Sequence, residues 1–345
     1  MNKQATNHTR VTIADIAKAV GVSKGAVSYA LNDKPGISDK TRKKILAKAD
    51  QLGWYPNTAA RALSAARANA CGLVLARPAR TLAFEPFFMQ LIAGVESELS
   101  SRAIALAIQV VDDVEAEMQV YKRWWAERRV DGVLLVDLRE NDPRIDFLLQ
   151  LGLPAVIIGS PLQNHEIPAL WHNEYGVMEE VVRYLYALGH QHIARVAGVP
   201  GFIHTITRTK SFLDTTKELG IKSQVLTTDF MAESGAQATR KLLTIPKPPT
   251  AVVYDSDILA VAGLGVAHEM GLSIPTDLSL VAWDDSTFCQ LVHPPLTAVS
   301  RDIHSYGASA CRKLLDVIDN NDGGDEETPS GTLVPRASTG RYMET

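Results

Sequence analysis

Residues 11–67 read VTIADIAKAVGVSKGAVSYALNDKPGISDKTRKKILAKADQLGWYPNTAARALSAAR. Within them, residues 11–52 predict three short helices, the first two joined by a tight turn at Gly21-Val22. Ile13, Ile16, Ala17, Val20, Val22, Val27, Ala30, Leu31, Ile37, Ile45, Leu46, Ala49 and Leu52 recur at helical spacing and suffice for a small three-helix core. Thr12, Ser23 and Ser38 each precede a helical run, where a hydroxyl can accept from an otherwise unpaired backbone amide. None of these helices is long enough to stand alone in water, so they must pack on one another. Helix, glycine-containing turn, helix is the helix-turn-helix pattern.

Working outward, residues 1–67 carry 12 Lys and Arg against 4 Asp and Glu, and the whole chain 35 against 39, which leaves 23 against 35 in residues 68–345. A basic head on an acidic body fits a nucleic-acid module joined to something else better than it fits one uniform enzyme. Lys40, Arg42, Lys43, Lys44 and Lys48 alone would read as a solvated helix face. Directly after a helix-turn-helix they read as phosphate-facing cations.

The stretches TIADIAKAVGVSKGAVSYALN (12–32) and GISDKTRKKILAKADQLGWYPNTAARAL (36–63) resemble the DNA-binding head of the lactose-repressor (LacI/GalR) family. The resemblance implies a head over residues 1–55, a hinge helix and linker over 56–69, and an effector-binding and dimerisation core over 70–345. It also implies that the second helix enters the major groove, with Lys24, Gly25 and Tyr29 as base readers and Ser28 beside them. Family members commonly carry Arg where Tyr29 stands, so the operator sequence does not carry over. Thr12, Ser23, Lys40 and Arg42 are expected to hold phosphates, which position the head without reading sequence. In the hinge segment Asn57 and Ala60 would contact the minor groove. Leu63 would be the residue that wedges a central base step open. Read without the family, Leu63 is an ordinary linker residue.

From Cys71 onward short apolar strands alternate with amphipathic helices, which predicts parallel sheets covered on both faces. About 275 residues is too much for one doubly wound sheet of ordinary size. Two α/β lobes, breaking near 159–161 and crossing back near 294–300, are expected. The stretches A187-LGHQHIARVAG-198, A251-VVYDSDILAVAGLGVAHEMGLSIPTDLSLVAWDD-285, P294-PLT-297 and LVPRAST (333–339) resemble the same family's periplasmic-binding-protein-like core. That implies a small-molecule effector, a sugar or related metabolite, bound between the lobes. Position by position, the effector residues would be Phe88, His172, Arg208, Phe230 and Asp257. Glu85 and His172 replace the residues usual at their positions and are expected to alter the cleft charge and titrate near neutrality.

No phosphate-binding glycine loop, nucleophile elbow or zinc-helix motif occurs in the chain, so no cofactor or catalytic set is expected. His190-x-His192 reads as a helix end broken by Gly189 rather than as a metal pair. Cys71, Cys289 and Cys311 are too few and too scattered for a disulfide framework and read as small buried hydrophobes. No apolar run is long enough to span a membrane and the N-terminus has no secretory signal, which predicts a cytoplasmic protein. The expectation is a homodimeric transcription factor, most simply a repressor, that binds a palindromic operator and answers to an effector. A transport-type binding protein, or an enzyme on the same sheet architecture, are the alternatives. The first would lack residues 1–64, and the second needs a catalytic set.

Overall fold

The computed structural model describes residues 11–54, 67–78, 85–160, 166–321 and 323–342. Asn57, Ala60 and Leu63 therefore lie outside the described residues. The chain forms two compact units, one ending at Ala68 and the other beginning at Asn69.

The head consists of helices α1 (Ile13–Val20), α2 (Lys24–Leu31) and α3 (Asp39–Gln51). Ile16, Val27 and Ile45, one from each helix, are fully buried at its centre. Gly21 ends α1 at φ 77°, a left-handed conformation that suits glycine, and its amide donates to the Ala17 carbonyl. Ser23 and Ser38 cap α2 and α3, their hydroxyls accepting from Ala26 N at 3.1 Å and Thr41 N at 3.3 Å. Thr12 works differently: its amide and hydroxyl both donate to the Asp15 carboxylate, at 2.8 and 2.6 Å. Leu46 departs from the expected core and is exposed. Ile45 and Ala49 lie one turn apart and take the inward positions, which turns the neighbouring residue 46 outward.

The second unit holds two sheets. The first runs in the order β11 (Glu326–Glu327), β5 (Ala169–Trp171), β4 (Ala155–Ile158), β3 (Gly132–Leu135), β1 (Ala70–Ala76), β2 (Ala105–Val111). The second runs β12 (Thr332–Val334), β10 (Thr297–Ser300), β9 (Ser279–Trp283), β8 (Ala251–Tyr254), β6 (His192–Ala197), β7 (Lys222–Thr227). Among the described strands every pairing is parallel except that of β10 with β12. Central strands such as β3, β4, β8 and β9 are buried throughout, as sheets covered on both faces require. Helices α4 (Pro86–Ser101), α5 (Val114–Ala126) and α6 (Pro143–Leu151) follow strands of the first lobe. Helices α7 (Glu174–Ala187), α8 (Ile203–Glu218), α9 (Ala232–Leu243), α10 (Asp257–Glu269) and α11 (Thr287–Leu291) belong to the second, and α12 (Ile303–Ile318) returns to the first.

The lobe crossings differ from those expected. Strand β5 still belongs to the first sheet, so the chain leaves that lobe at His172-Asn173 rather than at 159–161. Residues 294–300 contain β10 of the second sheet, and the return falls at Arg301-Asp302. A third crossing, between β11 and β12, was not foreseen. Strands of two to four residues carry too little pattern to be read as strands.

Helices α4 and α12 pack with their backbones nearly touching. A Cβ on Gly94 would lie 2.0 Å from the His304 carbonyl oxygen, and one on Gly307 would lie 2.3 Å from that of Leu91. The obstacle is helical backbone, which cannot swing aside. Gly94→Ala is therefore expected to destabilise the core by about 2–3 kcal/mol, read as a Tm lower by several degrees. An unchanged Tm would show that these helices can part without loss.

Candidate functional site

On the head, Ser23, Lys24, Gly25 and Tyr29 are exposed and Ser28 is half-buried, so the N-terminal half of α2 presents one accessible face. Lys40, Lys43 and Lys44 are exposed on the first turns of α3. Arg42 is used internally. Its guanidinium donates to the carbonyls of Tyr29, Ala30 and Lys34 and pairs with Asp33 at 2.8 Å, tying the end of α2 to α3. The open carbonyls at the C-terminus of α2 thus claim the side chain for which a phosphate contact was expected.

In the core, a cleft lies where strands of both sheets end. Arg77 follows β1, Asp137 lies just beyond β3, Asp255 follows β8, Asp284 follows β9 and Arg301 follows β10. Placing charged residues at strand carboxyl ends is how open α/β sheets build ligand sites. Backbone bonds also join the rims. Ile203 N donates to Leu138 O at 2.8 Å and Glu140 N to Gly201 O at 3.2 Å, so a loop of each lobe clasps the other.

Three arginines organise the cleft. Arg77 donates to Asp137 at 2.6 and 2.7 Å and to Glu85 at 2.8 and 2.9 Å. Its guanidinium lies 5.1–5.2 Å from the ring centres of Phe88, Phe202 and Phe230, a cation held among aromatic faces of both lobes. Arg208 pairs with Glu174, reaches Asp255 at 3.8 Å and stacks over Trp283 at 4.2 Å. Arg301 pairs with Asp284 and donates at 2.6 Å to His172 Nε2. Behind the wall Arg195, fully buried, meets Asp255 at 2.5 Å.

The charges follow from these partners. Burial pushes Glu174 upward, but Arg208 outweighs it and holds the carboxyl well below its usual range. Asp137 is likewise lowered, Arg77 outweighing burial. Burial and then Arg301 lower His172, which leaves it neutral and able to accept from that arginine. Burial lowers His204 to about 4. Burial raises Glu85 to about 7 against the pull of Arg77, and raises Asp257 to about 6 with help from Asp284. Glu85 thus lies near neutrality, while His172 is lowered from its ordinary value.

Asp257 opens α10; Oδ1 accepts from Ile258 N at 2.7 Å, and the Ser286 hydroxyl also bonds the carboxyl. Because its carboxyl is raised in the fold from 3.8 to about 6, folding must take up a proton between those values, so stability falls as pH rises from about 4 to 6 and is level above. The stability gained by Asp257→Asn over wild type should therefore be near zero below about pH 4, grow between about pH 4 and 6, and level off above, measured as the Tm difference at each pH. A difference independent of pH would show that Asp257 is not the source.

Of the expected effector residues, His172, Arg208, Phe230 and Asp257 line this cleft. Phe88 does not; it packs in the first-lobe core with Leu91 and Val95, and its neighbour Phe87 lines the cleft instead. The helical i, i+3, i+7 series that begins at Phe88 is the inward one. Phe230 sits at φ 66°, strained for an aromatic residue, with its ring over Gly198, where a Cβ would come within 2.0 Å of the ring. Sequence reasoning missed Arg77, Asp137, Glu174, Asp255 and Arg301. Asp284 and Asp285, in the bend just beyond β9, bind Arg301 and Arg336. His190 directs its ring nitrogens at Thr250 and Ser279, at 2.9 and 3.1 Å, as a buried structural residue. The three cysteines are buried.

An exposed helix-turn-helix face and a two-lobed cleft define the class of a ligand-responsive DNA-binding regulator. Residues 12–57 match the model of bacterial regulatory proteins, lacI family, and residues 182–339 match that of a periplasmic binding protein-like domain. The chain is 31% identical over 317 residues to the probable HTH-type transcriptional repressor ExuR of Bacillus subtilis, covering 89% of this chain and 92% of that one. Its fold is similar to the Lac repressor dimer bound to operator and the anti-inducer ONPF (TM-score 0.86, 26% identity, 96% of this chain and 100% of that one). It is also similar to a transcriptional regulator CelR–cellobiose complex (TM-score 0.72, 28% identity, 95% and 100%). The chain belongs to the lacI family of bacterial regulatory proteins and is a helix-turn-helix transcriptional regulator. Among the described residues no helix is long and apolar enough to cross a membrane.

Proposed function

We propose that this regulator is a cytoplasmic homodimeric repressor that binds a palindromic operator through residues 1–55 and is controlled by a small molecule bound in the cleft of residues 70–345. Residues 56–69 would couple the two. In this reading Lys24, Gly25, Ser28 and Tyr29 face base edges, while Thr12, Ser23 and Lys40 face phosphates. Arg42 holds α2 and α3 together. His172, Arg208, Phe230 and Asp257 receive the effector, with Phe87 in the place expected for Phe88. The chain acts by binding rather than by catalysis, as its relatives named for regulation do.

The observation that carries the DNA half is the exposed face of α2, fixed from behind by the Ile16–Val27–Ile45 core. For the ligand half it is the ring of strand-end charges that both lobes contribute. The two kinds of contact respond differently to mutation. Lys40→Ala should weaken binding to any duplex and lower the salt slope by about 1. Tyr29→Ala should relax sequence preference with little change in that slope. Anisotropy titrations on operator and scrambled duplexes over a salt series measure both. If Tyr29→Ala weakens both duplexes equally, α2 is not the reader.

A further inference from the structure

The cleft is acidic beyond what its arginines neutralise. Glu85, Asp137, Glu174, Asp255, Asp257 and Asp284 line it, against Arg77, Arg208 and Arg301. Even with Arg195, which meets Asp255 from behind, six carboxylates face four guanidiniums. His172 and His204 are both lowered by burial and add no charge. Every one of these arginines already holds a carboxylate. An acidic ligand would therefore have to displace one and leave it buried without a partner, a large cost.

The unpaired atoms point the same way. Asp257, 2% exposed, has no arginine, lysine or histidine in ion-pair contact among the described residues; its carboxyl has the Ser286 hydroxyl and the Ile258 amide but no cation. Glu174, 6% exposed, has an unpartnered Oε2. Beside these two carboxylates stands Nε of Arg208, an unpartnered donor on a cleft-lining residue; Nε of Arg195 and Nε1 of Trp283 are also unpartnered but belong to residues that do not line the cleft. Buried polar atoms of this kind are satisfied in working sites, so a ligand should bring donors for the oxygens and one acceptor for Nε. A neutral polyol brings the donors and leaves the charge of Asp257 uncompensated. A protonated amine supplies both, and a hydroxyl beside it supplies the acceptor.

We infer that the effector is a polyhydroxylated amine, of the chemical class of an amino sugar, with its ammonium group on Asp257 and a neighbouring hydroxyl oxygen accepting from Arg208. Phe87 and Phe230 supply apolar surface for the ring, and Glu174 takes a further hydroxyl. Asp257 is then the residue that selects a cationic ligand over its neutral parent. The inference rests on the cleft being the effector site proposed above.

The test titrates the full chain with glucosamine, glucose and glucuronate, and with the matching galactose series. Stabilisation and operator release are read at pH 7. The amine of at least one series should bind about tenfold tighter than its neutral parent, the increment of one partly buried ion pair, and the acids should not bind. Asp257→Asn should erase the tenfold preference of the amine over its neutral parent. A neutral or acidic sugar that binds as tightly as its amine overturns the inference. So does an absence of amine binding in both series, or an Asp257→Asn variant that keeps the preference. Failure to retain operator before any sugar is added would instead overturn the regulator reading. Release of a retained operator by glucuronate would leave that reading standing and overturn only the ligand class.

Discussion

Arg208→Met is expected to abolish the response of operator binding to ligand while the untreated protein still binds operator. Arg208 is 4% exposed, pairs with Glu174, approaches Asp255 and covers Trp283, so it joins α8 to the entry of α7 and to the end of β8. It is also the residue with the free Nε. Removing it takes away a charge-assisted donor and leaves Glu174 buried with one guanidinium fewer. The loss at such a site is about 2–5 kcal/mol, or roughly thirtyfold or more in ligand affinity. Residual destabilisation is separated from loss of recognition by the double variant Arg208→Met/Glu174→Gln. It should regain thermal stability and remain unresponsive. If the double variant responds to ligand as wild type does, Arg208 is a structural residue and the cleft assignment is wrong.

Arg144→Met is expected to be the most destabilising single change in the core. Arg144, 1% exposed, binds both oxygens of Glu117 at 2.9 Å and both oxygens of Asp142 at 2.9 and 2.6 Å, and donates to the Asp137 carbonyl at 3.0 Å. Glu117 is fully buried and also receives the Tyr121 hydroxyl. Burial alone would push both carboxyls up. Arg144 outweighs it at Asp142, which is lowered, but not at Glu117, which stays raised. Removing the one cation leaves two buried carboxylates unpaired, at a cost of about 3–5 kcal/mol and a Tm loss of roughly 10 °C. The cluster also supports the 137–142 loop, which carries Asp137 and the clasp to residues 201–203. Ligand affinity measured well below the Tm should therefore fall too. Arg144→Met/Glu117→Gln/Asp142→Asn should recover most of the stability. A single variant with wild-type Tm would contradict the account.

Much of this was legible in the sequence where pattern is long and local. The α1–turn–α2 unit shows in Gly21, in the Ser23 cap and in apolar residues at helical spacing. The long helices and buried strands of the core show in the same way. What was not legible depends on contacts between distant residues. Arg77, Asp137 and Glu85 are 60 and 8 residues apart along the chain and become one site because β1 and β3 are neighbours in the sheet. Arg301 and His172 meet across 129 residues because two of the three lobe crossings pass beside the cleft. Arg42 looks like a phosphate contact by its charge and is taken by carbonyls that only the folded head presents. Phe88 missed the cleft by one helical step. Charge and motif name the kind of site, and the strand order decides which carboxylate meets which arginine.

The central claim is that the head reads a particular DNA sequence and the core adjusts how tightly it does so. Gel-shift titration at physiological salt tests it most directly, using a fragment from upstream of the protein's own gene and a scrambled fragment of equal length. The account predicts a retained complex on the genomic fragment about a thousandfold tighter than on the scrambled one, weakened or strengthened by the ligand that raises the Tm. Equal affinity for both fragments, falling together as salt rises, would mean that a basic head is binding phosphate alone, and would contradict it.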